Sequence, residues 1–389
     1  MDPSYSTPKV FAAACAGMAF FGVAMLSLGP ILGPLNEIVP GANTLPSTMS
    51  LGIILGTLLF GPVVDRSGYK WLLIISSVLA LGGLAGLSLS KNIAVLHGAI
   101  FCLGVGGGIL NGETNALVSD IYDEERRGGR LGILGAFYCI GALLWTLLNY
   151  FIPDYRIPLT VMAAIMALLT VWFCFLSFPK AKPSAKEMPL VQSLGLLKYP
   201  ALLLFGLILF FQSGFEGASG NFTVSYLEHT SSISHAAATL AMTWFTIGML
   251  CGRLPLGHII RRLREAKTLY CYLGVALAGV LLLYLGGGRL FWVYLSMVLI
   301  GFGVGATFPV VLNFLGGAFP ERSGTAFSLA IFIALLGQTT LNRLTGAAFD
   351  AGNYQFLPLA LGVAIVMMRV LLPVARKAGD KIKNQPLNQ

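Results

Sequence analysis

Charge is what this sequence has least of. Asp, Glu, Lys and Arg together make up 11% of its 389 residues, hydrophobic residues make up 56%, and the mean hydropathy is +0.80. Soluble domains carry about 25% charged residues, so a soluble globular chain is excluded and an integral membrane protein is expected. Catalytic groupings are missing as well. There is no nucleophile–base pair and no metal-ligand cluster, and the glycine runs lie inside apolar stretches and not in a phosphate-binding loop. An enzyme is not expected, nor is any metal or cofactor. The six cysteines (Cys15, Cys102, Cys139, Cys174, Cys251, Cys271) all fall in apolar stretches without ligand-like spacing. That argues against a disulfide framework and for small core hydrophobes. The net charge of +9 does not point to nucleic acid, because the basic residues sit in short loops between apolar runs. No separate signal peptide is expected either, since the first apolar run, Lys9 to Leu35, is long enough to stay in the bilayer.

Long apolar runs are what the chain does have. They lie near 9–29, 46–64, 71–89, 94–118, 131–152, 158–178, 199–222, 236–257, 268–286, 290–314, 324–348 and 354–375. Each can cross a hydrocarbon layer of about 30 Å. The expected fold class is all-α integral membrane, with twelve transmembrane helices in two six-helix halves. The halves span 1–178 and 199–389, the second ending in a short basic tail. Between them, 179–198 holds Lys180, Lys182, Lys186 and Lys198 and reads as a cytoplasmic linker. With the N-terminus inside, only Lys91, Arg156, Arg289 and Arg343 of the 25 Lys and Arg fall on the outer side. Both termini are therefore expected in the cytoplasm.

The halves echo each other at an offset of 196 residues: Gly61 and Arg66 map onto Gly257 and Arg262, Glu125, Arg126 and Gly128 onto Glu321, Arg322 and Gly324, and Gly141 onto Gly337. With one gap, the glycines of "GVGGG" (104–108) match those of "GFGVG" (301–305). A repeated six-helix half is the signature of a duplicated transporter bundle.

"GPVVDRSGYK" (61–70) closes the second run. It resembles the Gly-x-x-x-Asp-Arg-x-Gly-x-Lys/Arg loop of the major facilitator superfamily at Gly61, Asp65, Arg66, Gly68 and Lys70. The resemblance implies a gate latch in which Gly61 admits a close helix and Asp65, Arg66 and Lys70 act at the cytoplasmic side. The second copy, "GHIIRRLREAK" (257–267), has Arg261 where Asp65 would map, a degenerate latch. Asp120, with Arg127 and Gly128 after it, resembles an acidic-x6-Arg-Gly pattern of sugar-porter-like members and reads as gating.

Two further stretches carry the solute-binding candidates. In "GVGGGILNGETNALVSD" (104–120), Asn111 and Asn115 share a helical face and offer donors and acceptors to a polar ligand such as a sugar hydroxyl. Glu113 lies about 200° round the helix from Asn111, a direction that suits an internal partner or a proton. In "FFQSGFEGASGNF" (210–222), Gln212, Glu216 and Asn221 stand among Gly214, Gly217 and Gly220. A carboxylate at that depth costs roughly 2.5–3.5 kcal/mol. The glycines are expected to break the helix where it lines a wet cavity, leaving Glu216 facing water and ligand.

Both stretches resemble the fucose:proton symporter branch of the superfamily and related bacterial sugar transporters. There are two departures: an amide at Asn111, where that branch has an acid, and no carboxylate in the first run, so proton coupling falls to Glu216 or Glu113. The other polar candidates inside runs are Tyr138, Asn149, Trp244, Asn313, Gln338 and Asn342, with Pro309 expected to kink the tenth. The function expected is alternating-access uptake of a monosaccharide or derivative, with protons, through the inner (plasma) membrane of a bacterium. The partners are a sugar-like small molecule, protons and the lipid bilayer, not nucleic acid, and the chain is expected to be a monomer. A facilitative sugar uniporter and a proton-driven exporter of an amphipathic compound remain the alternatives. The fifth run, "GAFYCIGALLWTLL" (135–148), lacks the Gly-Pro pattern of drug antiporters, which counts against the exporter.

Overall fold

Hydrocarbon offers no water to bond a backbone N–H or C=O, so an apolar stretch that crosses it takes the form whose hydrogen bonds are internal. The structure, a computed structural model, describes residues 5–28, 31, 35, 38–40, 42–152, 154–179, 194–231 and 233–384. Among them there is no strand. The helices are α1 (Thr7–Leu26), α2 (Leu45–Ser67), α3 (Tyr69–Leu89), α4 (Ile93–Ile121), α5 (Glu124–Phe151), α6 (Arg156–Phe175), α7 (Pro200–Ser231), α8 (His235–Arg253), α9 (Leu256–Leu263), α10 (Glu265–Leu285), α11 (Leu290–Gly305), α12 (Thr307–Ala318), α13 (Ser323–Asp350) and α14 (Phe356–Asn384).

They make twelve spans. The eighth is the bent pair α8–α9, turned by 51° at Pro255, and the tenth is α11 followed by α12 within Leu290–Ala318. Most of the expected linker, 180–193, lies outside the described residues; Leu194–Lys198 forms a 3₁₀ turn before α7. Three helices run past their apolar cores: α5 starts at Glu124, α7 continues to Ser231 and α14 to Asn384. Helical hydrogen bonding does not stop where hydropathy falls.

The described residues group into two compact units. One lies within Met1–Ile121, Phe137–Gly195 and Pro320–Leu329, the other within Tyr122–Ala136, Leu196–Phe319 and Ala330–Gln389. The repeat is visible inside each. In the first, a side chain at Gly52, Gly56, Gly104 or Gly108 would run into the backbone of Phe101, Val105, Met49 or Ile53, so α2 and α4 are locked glycine to backbone on both sides. In the second, Gly248, Gly252, Gly301 and Gly305 stand in the same way against Val298, Phe302, Phe245 and Met249, locking α8 to α11. Hydrophobic association is weak between helices already in lipid, and close backbone contact at small residues replaces it.

Leu89, Phe175 and Leu285 are more than 70% exposed, and Trp71 is 66% exposed. On a membrane helix these are the hydrocarbon-facing sides. Cys15 and Cys139 are buried, as expected of core residues, and Cys102 is half-buried, but Cys174, Cys251 and Cys271 lie on exposed faces. In lipid an apolar thiol needs no protein cover.

Candidate functional site

The polar side chains of the spans collect in a few places. On α4, Asn115 donates through Nδ2 to the Asn111 carbonyl (2.7 Å) and approaches its Oδ1 (3.3 Å). The two amides share a face as their spacing requires, but Asn115 is buried and its donor is occupied within the helix, while Asn111 stays half-buried. Glu113 points away from them. It is 1% exposed, its Oε1 accepts from Ser76 Oγ of α3 at 2.9 Å, and its buried Oε2 has no partner among the described residues. Tyr138 packs its ring on Phe21 of α1, with 5.5 Å between centroids. Asn149 donates to the Trp145 carbonyl, a bond within α5.

The second cluster is built by α7 and α13. The expected break in α7 is absent: the helix runs unbroken from Pro200 to Ser231. Its glycines admit a neighbour instead. A side chain at Gly214 would lie 3.0 Å from the Gly337 carbonyl, and one at Gly217 would lie 2.6 Å from Gln338 Cγ and 3.3 Å from the Asn342 amide. Gln338 and Asn342, one turn apart on α13, are thereby set beside the turn of α7 that carries Glu216. Gln212 is fully buried and donates through Nε2 to Glu216 Oε2 at 2.5 Å, while Ser213 Oγ donates to Gln212 Oε1. Glu216, Gln338 and Asn342 are half-buried, and Asn342 Oδ1 is a buried acceptor without a partner among the described residues. Ser219 and Thr223 continue the Gln212–Glu216 face, and both hydroxyls are buried without described partners. Free donors and acceptors gathered on facing turns can take up hydroxyl groups.

The remaining candidates lie elsewhere. Asn221 is exposed, and Trp244 is 37% exposed with Tyr294 beside it. Asn313 of α12 is buried against the first turns of α5, where a side chain at Gly128 would stand 3.4 Å from its Nδ2.

The latch residues converge on the N-terminus of α13. Asp65, 5% exposed, accepts from Thr325 N (2.9 Å) and Thr325 Oγ1 (2.7 Å). Asp120 accepts from Tyr69 OH and Ser323 Oγ, each at 2.6 Å. Ser328 Oγ donates to the Thr57 carbonyl at 2.5 Å, and a side chain at Gly61 would meet the Gly324 carbonyl at 2.5 Å. Two carboxylates therefore sit at the positive end of a helix whose first N–H groups have no internal acceptors. Gly68 (φ 78°) makes the left-handed turn from α2 into α3 that brings Tyr69 round to Asp120. Arg66, Lys70 and Arg127 are half-buried.

One residue escaped the sequence reading. Arg253, at the end of α8, is 5% exposed; its Nε donates to the Gly305 carbonyl (3.2 Å) and its Nη1 to the Gly135 carbonyl (2.7 Å). The available signal was a guanidinium inside an expected span, the feature that singled out Glu216 as a carboxylate.

With this geometry in hand, the chain can be compared with known proteins. The sequence model described as Major Facilitator Superfamily matches residues 10–339, and again 204–387. The chain is 22% identical over 400 residues to the Glucose/mannose transporter GlcP of Bacillus subtilis, covering 96% of each. It is 24% identical over 362 residues to the Cis,cis-muconate transport protein of Acinetobacter baylyi, 89% of this chain and 87% of that one. The crystal structure of the E. coli fucose:proton symporter FucP matches with a TM-score of 0.79 at 17% identity, over 96% of this chain and 99% of that one, a likeness of fold.

Proposed function

The chain belongs to the Major Facilitator Superfamily, and from that membership we propose that it takes up a monosaccharide or sugar derivative by alternating access, with protons moving alongside. The coarser statement needs no proposal: it is a multi-pass membrane transporter and not an enzyme. The observation that carries the finer one is the α7–α13 cluster, in which Gly214 and Gly217 draw Gln338 and Asn342 against the turn of Glu216. Amides and a carboxyl suit a ligand dense in hydroxyls better than an amphipathic drug, which calls for an aromatic and apolar lining. The names of GlcP and of the fucose:proton symporter point the same way. On the first half, Asn111 is the residue we assign to the solute.

Glu216 is the group we assign to the proton. It is half-buried and placed beside the amides, whereas Glu113 is enclosed between α3 and α4 and acts as an anchor within its half. The bond from Gln212 favours one second reading, a uniporter in which Glu216 is a structural acceptor. We place the protein in a bacterial inner membrane, as its bacterial relatives suggest, and take it as a monomer; the distribution of Lys and Arg supports both termini in the cytoplasm.

The test is uptake of a panel of labelled hexoses, deoxyhexoses and amino sugars by proteoliposomes. Saturable uptake of one of them, competed by its unlabelled form and weakened by Gln338→Ala and Asn342→Ala, is the result expected. Failure of the whole panel would move the exporter of an amphipathic compound to first place.

A further inference from the structure

The second half carries a degenerate copy of the Asp65 latch, with Arg261 where the aspartate would map. Arg261 is exposed, whereas Asp65 is buried. The backbone contact itself is nonetheless repeated. Gly61 meets the first turns of α13 at Gly324 and Thr325, and its equivalent Gly257 meets the first turns of α5 at Gly129, where a side chain would stand 2.6 Å from Gly257 Cα. The hydroxyls that fasten the first contact have no counterpart in the second, because Thr325 and Ser328 map onto Gly129 and Gly132. Something else must fasten it.

We propose that Arg253 is the latch of the second half, a positioning residue whose guanidinium spans the break in the tenth span and holds the cytoplasmic half of α5 against α8. A donor is missing from the tenth span. In an α-helix the N–H of residue i bonds the C=O of residue i−4, and Pro309 has no N–H to give the carbonyl of Gly305. That carbonyl closes α11, the helix resumes at Thr307, and Arg253 Nε supplies the absent donor from α8 at 3.2 Å. The same planar group then has a second edge to offer, and Nη1 gives it to the Gly135 carbonyl at 2.7 Å. Gly135 is what lets it in: a side chain there would lie 3.2 Å from Arg253 Cδ and 3.3 Å from Nε.

The two bonds differ in consequence. The bond to Gly305 joins helices already locked along their length, α8 and α11, and persists through the transport cycle. The bond to Gly135 crosses to a helix of the first half and must open when α5 parts from α8. Arg253 occupies the repeat position of Thr57, whose carbonyl accepts Ser328 in the first latch. The two latches are thus built at one structural position by different chemistry.

The role rests on alternating access but not on the identity of the solute, so its test uses distances and no substrate. Spin labels are placed at the exposed positions Arg126 of α5 and His258 of α9 (Arg126→Cys, His258→Cys) in full-length protein with its native cysteines replaced, and pulsed dipolar spectroscopy reads their separations in lipid. Two populations are expected, and Arg253→Met moves weight to the longer one by about tenfold, the change that one charge-assisted hydrogen bond is worth. Gly135→Ala, which keeps the arginine but crowds its path, moves the same population in the same direction. Pro309→Ala, which returns an N–H to Gly305, restores the thermal stability lost by Arg253→Met while leaving the longer population raised. Two populations in unchanged proportion in both Arg253→Met and Gly135→Ala would overturn the latch and leave alternating access standing. A single population in parent and variants alike would overturn both.

Discussion

Asp65 and Thr325 are 260 positions apart in the chain and joined by two hydrogen bonds, one from the backbone N–H and one from the hydroxyl, both to the same carboxylate oxygen. A carboxylate at a helix N-terminus satisfies an orphan donor and meets the positive end of the helix dipole. The loop resembling the superfamily's signature thus acts as a cap supplied from a distant helix.

Removing that cap should cost about 1–2 kcal/mol. Asp65→Ala is expected to lower the thermal midpoint in detergent and to slow solute exchange in vesicles. Thr325→Ala, which keeps the backbone N–H bond and loses only the hydroxyl one, should do the same to a smaller degree, and the double variant should be no worse than Asp65→Ala alone, in which the hydroxyl bond is already lost. Additive losses would show that the Thr325 hydroxyl contributes through something other than Asp65.

Two glycines of α7 make a contrast. A side chain at Gly217 collides with Gln338 and crowds Asn342, while nothing lies within 4 Å of one at Gly220. Gly217→Val is expected to abolish uptake and to cost about 1–3 kcal/mol through overpacking. Gly220→Ala should leave uptake near that of the parent. Equal effects, measured as initial rates at matched expression, would remove close packing of α7 on α13 from the account.

Glu113 depends on one hydroxyl. Ser76→Ala leaves the buried carboxyl without its described donor and is expected to destabilise the protein by about 1–3 kcal/mol. Adding Glu113→Leu should recover most of that, since replacing both members of a buried polar pair by apolar groups is far cheaper than orphaning one. Thermal unfolding of the three variants checks this. A double variant worse than Ser76→Ala would mean that Glu113 has a task beyond holding α3.

The membrane fold was legible because each span needs about 20 apolar residues and the chain supplies twelve such runs. The glycine echo was legible too, and part of its physical content is the pair of interlocks Gly104–Met49 and Gly301–Phe245. What hydropathy could not reveal was where helices outlast the bilayer, as α5 does through "EERRGGR" to start at Glu124. Gly214, Gly217 and Gly220 read as a break, and only the position of α13 shows that Gly214 and Gly217 form a groove in an unbroken helix. Pro309 marked a disturbance correctly, but the break falls at Ala306, because a proline disturbs the turn before it. Arg253 was lost among loop charges. Its role depends on two carbonyls, at Gly135 and Gly305, that no side-chain pattern announces.

The most direct test of the central claim is accumulation of the hexose identified by uptake, in proteoliposomes with an imposed inward proton gradient, for the parent chain and for Glu216→Gln. The parent is expected to concentrate the sugar above the outside level and to lose that ability when a protonophore collapses the gradient. Glu216→Gln should exchange labelled for unlabelled sugar but never concentrate it. Accumulation by Glu216→Gln equal to that of the parent, or uptake by the parent indifferent to the gradient, would contradict it.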